Sequence, residues 1–235
     1  MRRVITAGLS FFLLGGCGLG EGVGSWRDAA FGLVTDDEFT TLETILVSAE
    51  DTPGSQSLLY TAMVEAEAAY QSASRAVASS AEPAALGTAV GEVIYAIEPD
   101  AAPAWDAKTA GLVPGWTGRG YGLLNATGQM ADGLRRVQAE GGGEAEAAAE
   151  ALVCIENTAG FARDALALAQ SILAGVDGEE QAALLPQLEL LTRAQLAGLD
   201  ADGDGEIELG DGECALQQAE KVLEPLSLDL ERRTS

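Results

Sequence analysis

The chain contains no histidine in 235 residues. That one absence removes His-based nucleophilic triads, His-ligated zinc and imidazole acid–base catalysis together. Neither a GxSxG elbow nor a P-loop takes their place. The glycines of GRGYG, residues 118–122, lack the preceding strand and the spacing of either nucleotide fingerprint, so no phosphate cradle is expected there. Carboxylates are abundant, 37 in all, but nothing in their order nominates a pair for glycoside hydrolysis. The expectation is that the chain is not an enzyme. Lysine is also scarce, with only Lys108 and Lys221, and aromatic residues make up 5% of the chain. Alternating, strand-like runs are missing, which leaves an all-α fold.

What is abundant is negative charge. Thirteen basic residues against 37 acidic ones give a formal charge of −24. Such a surface repels nucleic acid and anionic lipid headgroups, so neither is expected as a partner. It suits cations, basic proteins or a salty medium that screens self-repulsion.

The N-terminus reads as a secretory signal. Arg2 and Arg3 precede a short apolar core, Val4 to Leu14, too short for a permanent membrane span. Leu14-Gly15-Gly16-Cys17 follows, and LGGC resembles the lipobox of bacterial lipoproteins. The resemblance implies cleavage after residue 16, lipidation of Cys17 and a cell-envelope location on a lipid anchor. Gly18 after the cysteine points, by the same analogy, to the outer membrane. Without the signal, 219 of the 235 residues remain and the charge moves from −24 to −26, since two arginines leave. That length supports one good-sized core. With Cys17 spent on lipid, Cys154 and Cys214 form an even pair in an oxidising compartment. A disulfide is expected, closing about 60 residues and contributing roughly 4 kcal/mol; two buried free thiols are the alternative.

Residues 17–34 are glycine-rich and read as a tether, with Trp26 and Phe31 docking back on the body or lying at the lipid surface. A single helical domain is expected over 35–235, an antiparallel bundle of about six to eight helices. Thr35 and Glu38 make a capping box ahead of Phe39, Leu42, Leu46 and Ala49. A helix over 55–80 carries Leu59, Met63, Ala66, Tyr70, Ala73 and Val77 on one stripe, and Pro83 opens a further helix that ends near Pro99. Residues 101–122 form an irregular connection bearing Trp105, Trp116 and Tyr121, which would either line a ligand pocket or close one end of the bundle. A helix resumes by Leu123 and ends near Glu140. Gly141-Gly142-Gly143 is expected to be a hairpin loop leading into a long helix over 144–174. After a turn at Asp177-Gly178, helix returns from Glu179 to Leu199, with Pro186 kinking or dividing it. A last helix over 213–223 should stop near Pro225, leaving 226–235 as a frayed or surface-packed tail.

The sharpest signal is DADGDGEIELGD, residues 200–211. Asp200, Asp202 and Asp204 hold positions 1, 3 and 5 of a twelve-residue loop, with Gly205 at 6, Ile207 at 8, Glu208 at 9 and Asp211 at 12. The stretch resembles the calcium-binding loop of the EF-hand family, here as one helix–loop–helix over about 187–224. The resemblance implies side-chain oxygens from Asp200, Asp202, Asp204 and Asp211, the backbone carbonyl of Glu206, and Glu208 directly or through water. Gly205 would permit the sharp turn, and Ile207 would face the core. Most EF-hands carry glutamate at position 12; dockerin-type loops carry aspartate, and the shorter side chain should weaken affinity. Glu213, just beyond, stands as a substitute ligand in a slipped register. No second DxDxDG pairs with the loop. Calcium is expected ahead of magnesium because no phosphate partner is implied. Two functional classes follow. One is a lipid-anchored envelope protein acting as a structural or protein-interaction module braced by calcium. The alternative is a small-molecule or ion-binding lipoprotein with a pocket around Trp105, Trp116 and Tyr121.

Overall fold

Seven α-helices, and no strand, make up the computed structural model over its described residues, which are 36–102, 118–175, 178–209 and 212–234. They are α1 (Asp36–Leu46), α2 (Leu58–Ala78), α3 (Pro83–Ile97), α4 (Leu123–Glu140), α5 (Ala145–Leu173), α6 (Gly178–Ala197) and α7 (Leu216–Thr234). A single 3₁₀ turn, Pro99–Ala101, follows α3. The described residues belong to one compact unit. None of the described helices is long and apolar enough to cross a membrane. The signal stretch 1–16, the tether, Cys17, Thr35, Trp105 and Trp116 lie outside the described residues.

Local chemistry accounts for the helix boundaries. Ser57 caps α2, its Oγ accepting the Tyr60 N–H at 3.1 Å, and Pro83 opens α3, where a missing N–H costs nothing. The glycine run 141–143 joins α4 to α5, which pack against one another as a hairpin.

The core is built on α2 and α5, each packed against four or more other helices. Their buried faces are alanine-rich. On α2, Ala62, Ala66, Ala69, Ala73 and Ala76 recur at alternating spacings of four and three and are all buried. On α5 the buried line runs Ala148, Ala151, Cys154, Thr158, Ala162, Ala165 and Ala169. Small side chains at this period let helix backbones approach closely, while Leu58, Met130, Leu134, Ile155, Leu188 and Leu223 supply volume between them. Helix α3 is buried on every face from Ala89 to Ile97. Its Glu92 is buried as well and is paired with Arg75 of α2.

One expectation about proline is corrected: α7 runs through Pro225 to Thr234 rather than ending there. Helix α6 continues through Pro186, so that proline does not divide it in two. Both prolines are on exposed faces, and so are Ala182 and Lys221, whose carbonyls lose their helical donors. Solvent reaches these residues, so water can take the place of the missing N–H donors, which lowers the hydrogen-bond part of the cost of a proline inside a helix. The extra turns of α7 are also held by packing, since Leu230 is buried in the core.

Candidate metal centre

Helix α6 ends because Gly198 takes φ +84°, a left-handed conformation that only glycine adopts cheaply. A side chain there would collide with the Glu213 carbonyl oxygen and come within 2.8 Å of Ile207 Cγ2. Glycine therefore lets the chain entering the loop lie against the chain leaving it. The Leu199 N–H donates to the Glu213 carbonyl at 2.8 Å and closes the base of the loop.

Above that base the aspartates fold the loop on itself. Asp200 accepts from the Gly203 N–H at 2.6 Å and from the Gly205 N–H at 3.0 Å. Asp202 accepts from the Asp204 N–H at 3.1 Å, and Asp204 from the Glu206 N–H at 2.8 Å. Gly205 takes φ +89°, the turn expected at position 6. Ile207 is half-buried against the core, as position 8 requires.

Carboxylate oxygens of Asp200, Asp202 and Glu213 come within 4.8 Å of one another. The first two are exposed, whereas Glu213 is buried. Glu213 reaches across the loop: its Oε1 accepts from the Ala201 N–H at 2.7 Å, and its Oε2 from the Glu208 N–H at 3.2 Å. Those backbone amides hold its carboxyl below the usual glutamate range, against burial and the nearby negative charge of Asp200. Asp204, Glu206 and Glu208 are exposed along the same loop, outside the close triad. Asp211 lies outside the described residues. The donor set is entirely oxygen, with no nitrogen or sulfur, which fits a hard cation.

The exiting helix is tied down at several points. Cys214 and Cys154 of α5 are fully buried and stand at disulfide distance, their Cα atoms 4.9 Å apart. Asn157 of α5 donates to the Cys214 carbonyl at 3.3 Å. Gln218 bridges the two helices that flank the loop, accepting from the Ala215 N–H and donating to the Ala197 carbonyl, both at 3.1 Å. Gln218 and Asn157 escape a reading of the loop alone. Gln218 has a sequence signal, since a glutamine at the third position of a helix satisfies the amide of its N-cap residue; Asn157 has none.

Of the aromatic trio, only Tyr121 is described. It is half-buried; its hydroxyl donates to Asp51 at 3.1 Å and accepts from Gln129 at 2.8 Å. Burial first, then the Asp51 carboxylate, raises its pKa. The backbone at Arg119 and Tyr121 is held from beneath by buried Glu65, whose Oε1 accepts both N–H groups at 2.9 Å. Burial pushes the Glu65 carboxyl above its ordinary range, and those N–H groups oppose the shift.

No protein-family model, curated protein or solved structure matches this chain.

Proposed function

We propose that this is a calcium-binding, lipid-anchored envelope lipoprotein whose helical body serves as a structural or protein-interaction module, with calcium as a structural clamp. The observation that carries the calcium reading is the approach of Asp200, Asp202 and Glu213, drawn from both ends of the loop to within 4.8 Å. Carboxylates so placed repel one another unless a cation sits among them. Asp200, Asp202 and Asp204 would supply side-chain oxygens, with the Glu206 carbonyl and Glu208 as the resemblance implies. Glu213 would complete the set beside Asp211 or in its place. Calcium fits better than magnesium, because an all-protein oxygen set is its usual cage and no phosphate is implied.

The clamp reading follows from the surroundings of the loop. It is unpaired, and the exiting helix α7 is held by Cys214, Asn157 and Gln218. A sensor needs a helix free to swing, and this one is fastened at its first turn. Extracellular calcium modules work at about 10⁻⁴–10⁻³ M, which tolerates an aspartate at position 12. The LGGC sequence supports anchoring through Cys17, at the outer membrane by analogy.

Calorimetric titration of the protein with calcium, using Asp202→Ala as control, tests the assignment. Heat that saturates in the sub-millimolar to millimolar range and vanishes in the variant is expected. No heat at millimolar calcium, or equal heat from the variant, would sink it.

A further inference from the structure

The first turns of α2, the end of α1 and the middle of α7 leave a groove of about 830 Å³. Its floor is apolar, formed by Leu46, Leu59, Met63 and Leu223. Its rim carries Val47 and Tyr60, which are 43% and 49% exposed, among the most open large apolar side chains of the described residues. Along its α7 side stand Glu220 and Glu224, both exposed and one helical turn apart, with Lys221 between them.

We infer that this groove is a docking site for an amphipathic helical segment of another protein, apolar on one face and basic along its flank. The inference names the surface used by the interaction module proposed above, and it does not require the loop to hold an ion. The α7 wall, Glu220 to Ser227, covers about 10 Å along its axis, enough to face two turns of a docked helix. Apolar anchors at i, i+3 or i+4, and i+7 then enter one continuous trough, as in other helix-in-groove complexes. Charge decides the flank. Glu220 and Glu224 outnumber Lys221 along this wall, so the flank is net acidic and favours a basic partner over an acidic one. The chain as a whole, at −24, draws a basic segment in and turns an acidic one away. The same charge disfavours a second copy of this chain and an anionic lipid surface.

The probe is a labelled synthetic peptide of about 18 residues with leucines at helical spacing and lysines on the flanks. Its counterpart carries glutamate in place of every lysine. Both are titrated against the full chain by fluorescence anisotropy at about 0.15 M salt, with and without calcium. The lysine peptide is expected to bind at least about tenfold tighter than the glutamate peptide. Val47→Ser and Tyr60→Ser, at exposed positions that leave the fold intact, should each weaken it about fivefold or more. Glu220→Lys with Glu224→Lys should abolish the preference, while the same charge change at Glu146 and Glu150 on α5, outside the groove, should leave it within about twofold. Failure of the lysine peptide to bind overturns the inference. Equal losses from both charge reversals overturn it too, since whole-chain attraction would then explain the binding. So does a dimer in sedimentation that Val47→Ser dissociates, because a second copy would then be the occupant. Calcium heat that persists while the peptide fails to bind would leave the metal reading standing and remove only the groove.

Discussion

Reducing the Cys154–Cys214 pair, which stands at disulfide distance, should be the most informative perturbation of stability. The pair spans 60 residues, and closing a loop of that length in the unfolded chain contributes about 4 kcal/mol on the chain-entropy account. Reduction alone leaves both sulfurs in place, so the loss on adding reductant isolates the cross-link. Cys154→Ala with Cys214→Ala also deletes two fully buried sulfurs and should lose a further 1–2 kcal/mol or so. Urea unfolding at 25 °C with and without reductant measures both effects. The reduced protein should also show a steeper denaturant dependence, because its unfolded ensemble is more expanded. In a thermal melt, about 4 kcal/mol corresponds to a fall of roughly 8–16 °C for a body of this size. A change of less than about 1 kcal/mol on reduction would refute the reasoning, as would alkylation of Cys154 and Cys214 before any reductant is added.

Three further outcomes follow from particular contacts. Gly198→Ala should destabilise by about 1–3 kcal/mol in thermal melts, through its left-handed backbone and its approach to Glu213; Gly203→Ala, with φ +79° but open space around it, should cost less. Leu230→Ala should cost about 2–4 kcal/mol in urea unfolding if α7 packs beyond Pro225, and close to nothing if the terminus is a frayed tail. Glu65 sets a pH dependence of known sign. Because burial raises its folded pKa, its contribution is complete below the unfolded value and is lost as pH rises through the folded one. The stability of the protein relative to Glu65→Gln should therefore decline from about pH 4 towards neutrality; a flat difference across that range would contradict it.

The helices were legible because their signals are local. Pro83, the glycine run at 141–143 and the periodic apolar positions each act within a turn or two of chain. The course of the chain past Pro186 and Pro225 was not, because the cost of proline depends on whether the orphaned carbonyl faces water, and exposure is a tertiary property. The stripe expected on α2 shared Leu59, Ala66 and Ala73 with the true buried face. It overlooked Ala62, Ala69 and Ala76, because alanine carries little hydrophobic signal even when it sets how closely helices pack. In the loop, the spacing of Asp200, Asp202 and Asp204 was visible and their Asx-type turns follow from it. Glu213 took second place to Asp211, since the template ends at position 12. What brings Glu213 inward is three-dimensional: the close approach at Gly198 and the backbone amides of Ala201 and Glu208 that donate to its carboxylate.

The clamp itself is tested most directly by the melting temperature measured with chelator and then with about 10 mM calcium. With a dissociation constant of about 0.1–1 mM, binding to the folded state alone should add roughly 1.4–2.7 kcal/mol. That is a rise of several degrees, lost in Asp202→Ala, with no gain in binding of a hydrophobic dye. An unchanged melting temperature, or a rise accompanied by newly exposed apolar surface, would contradict calcium as a structural clamp.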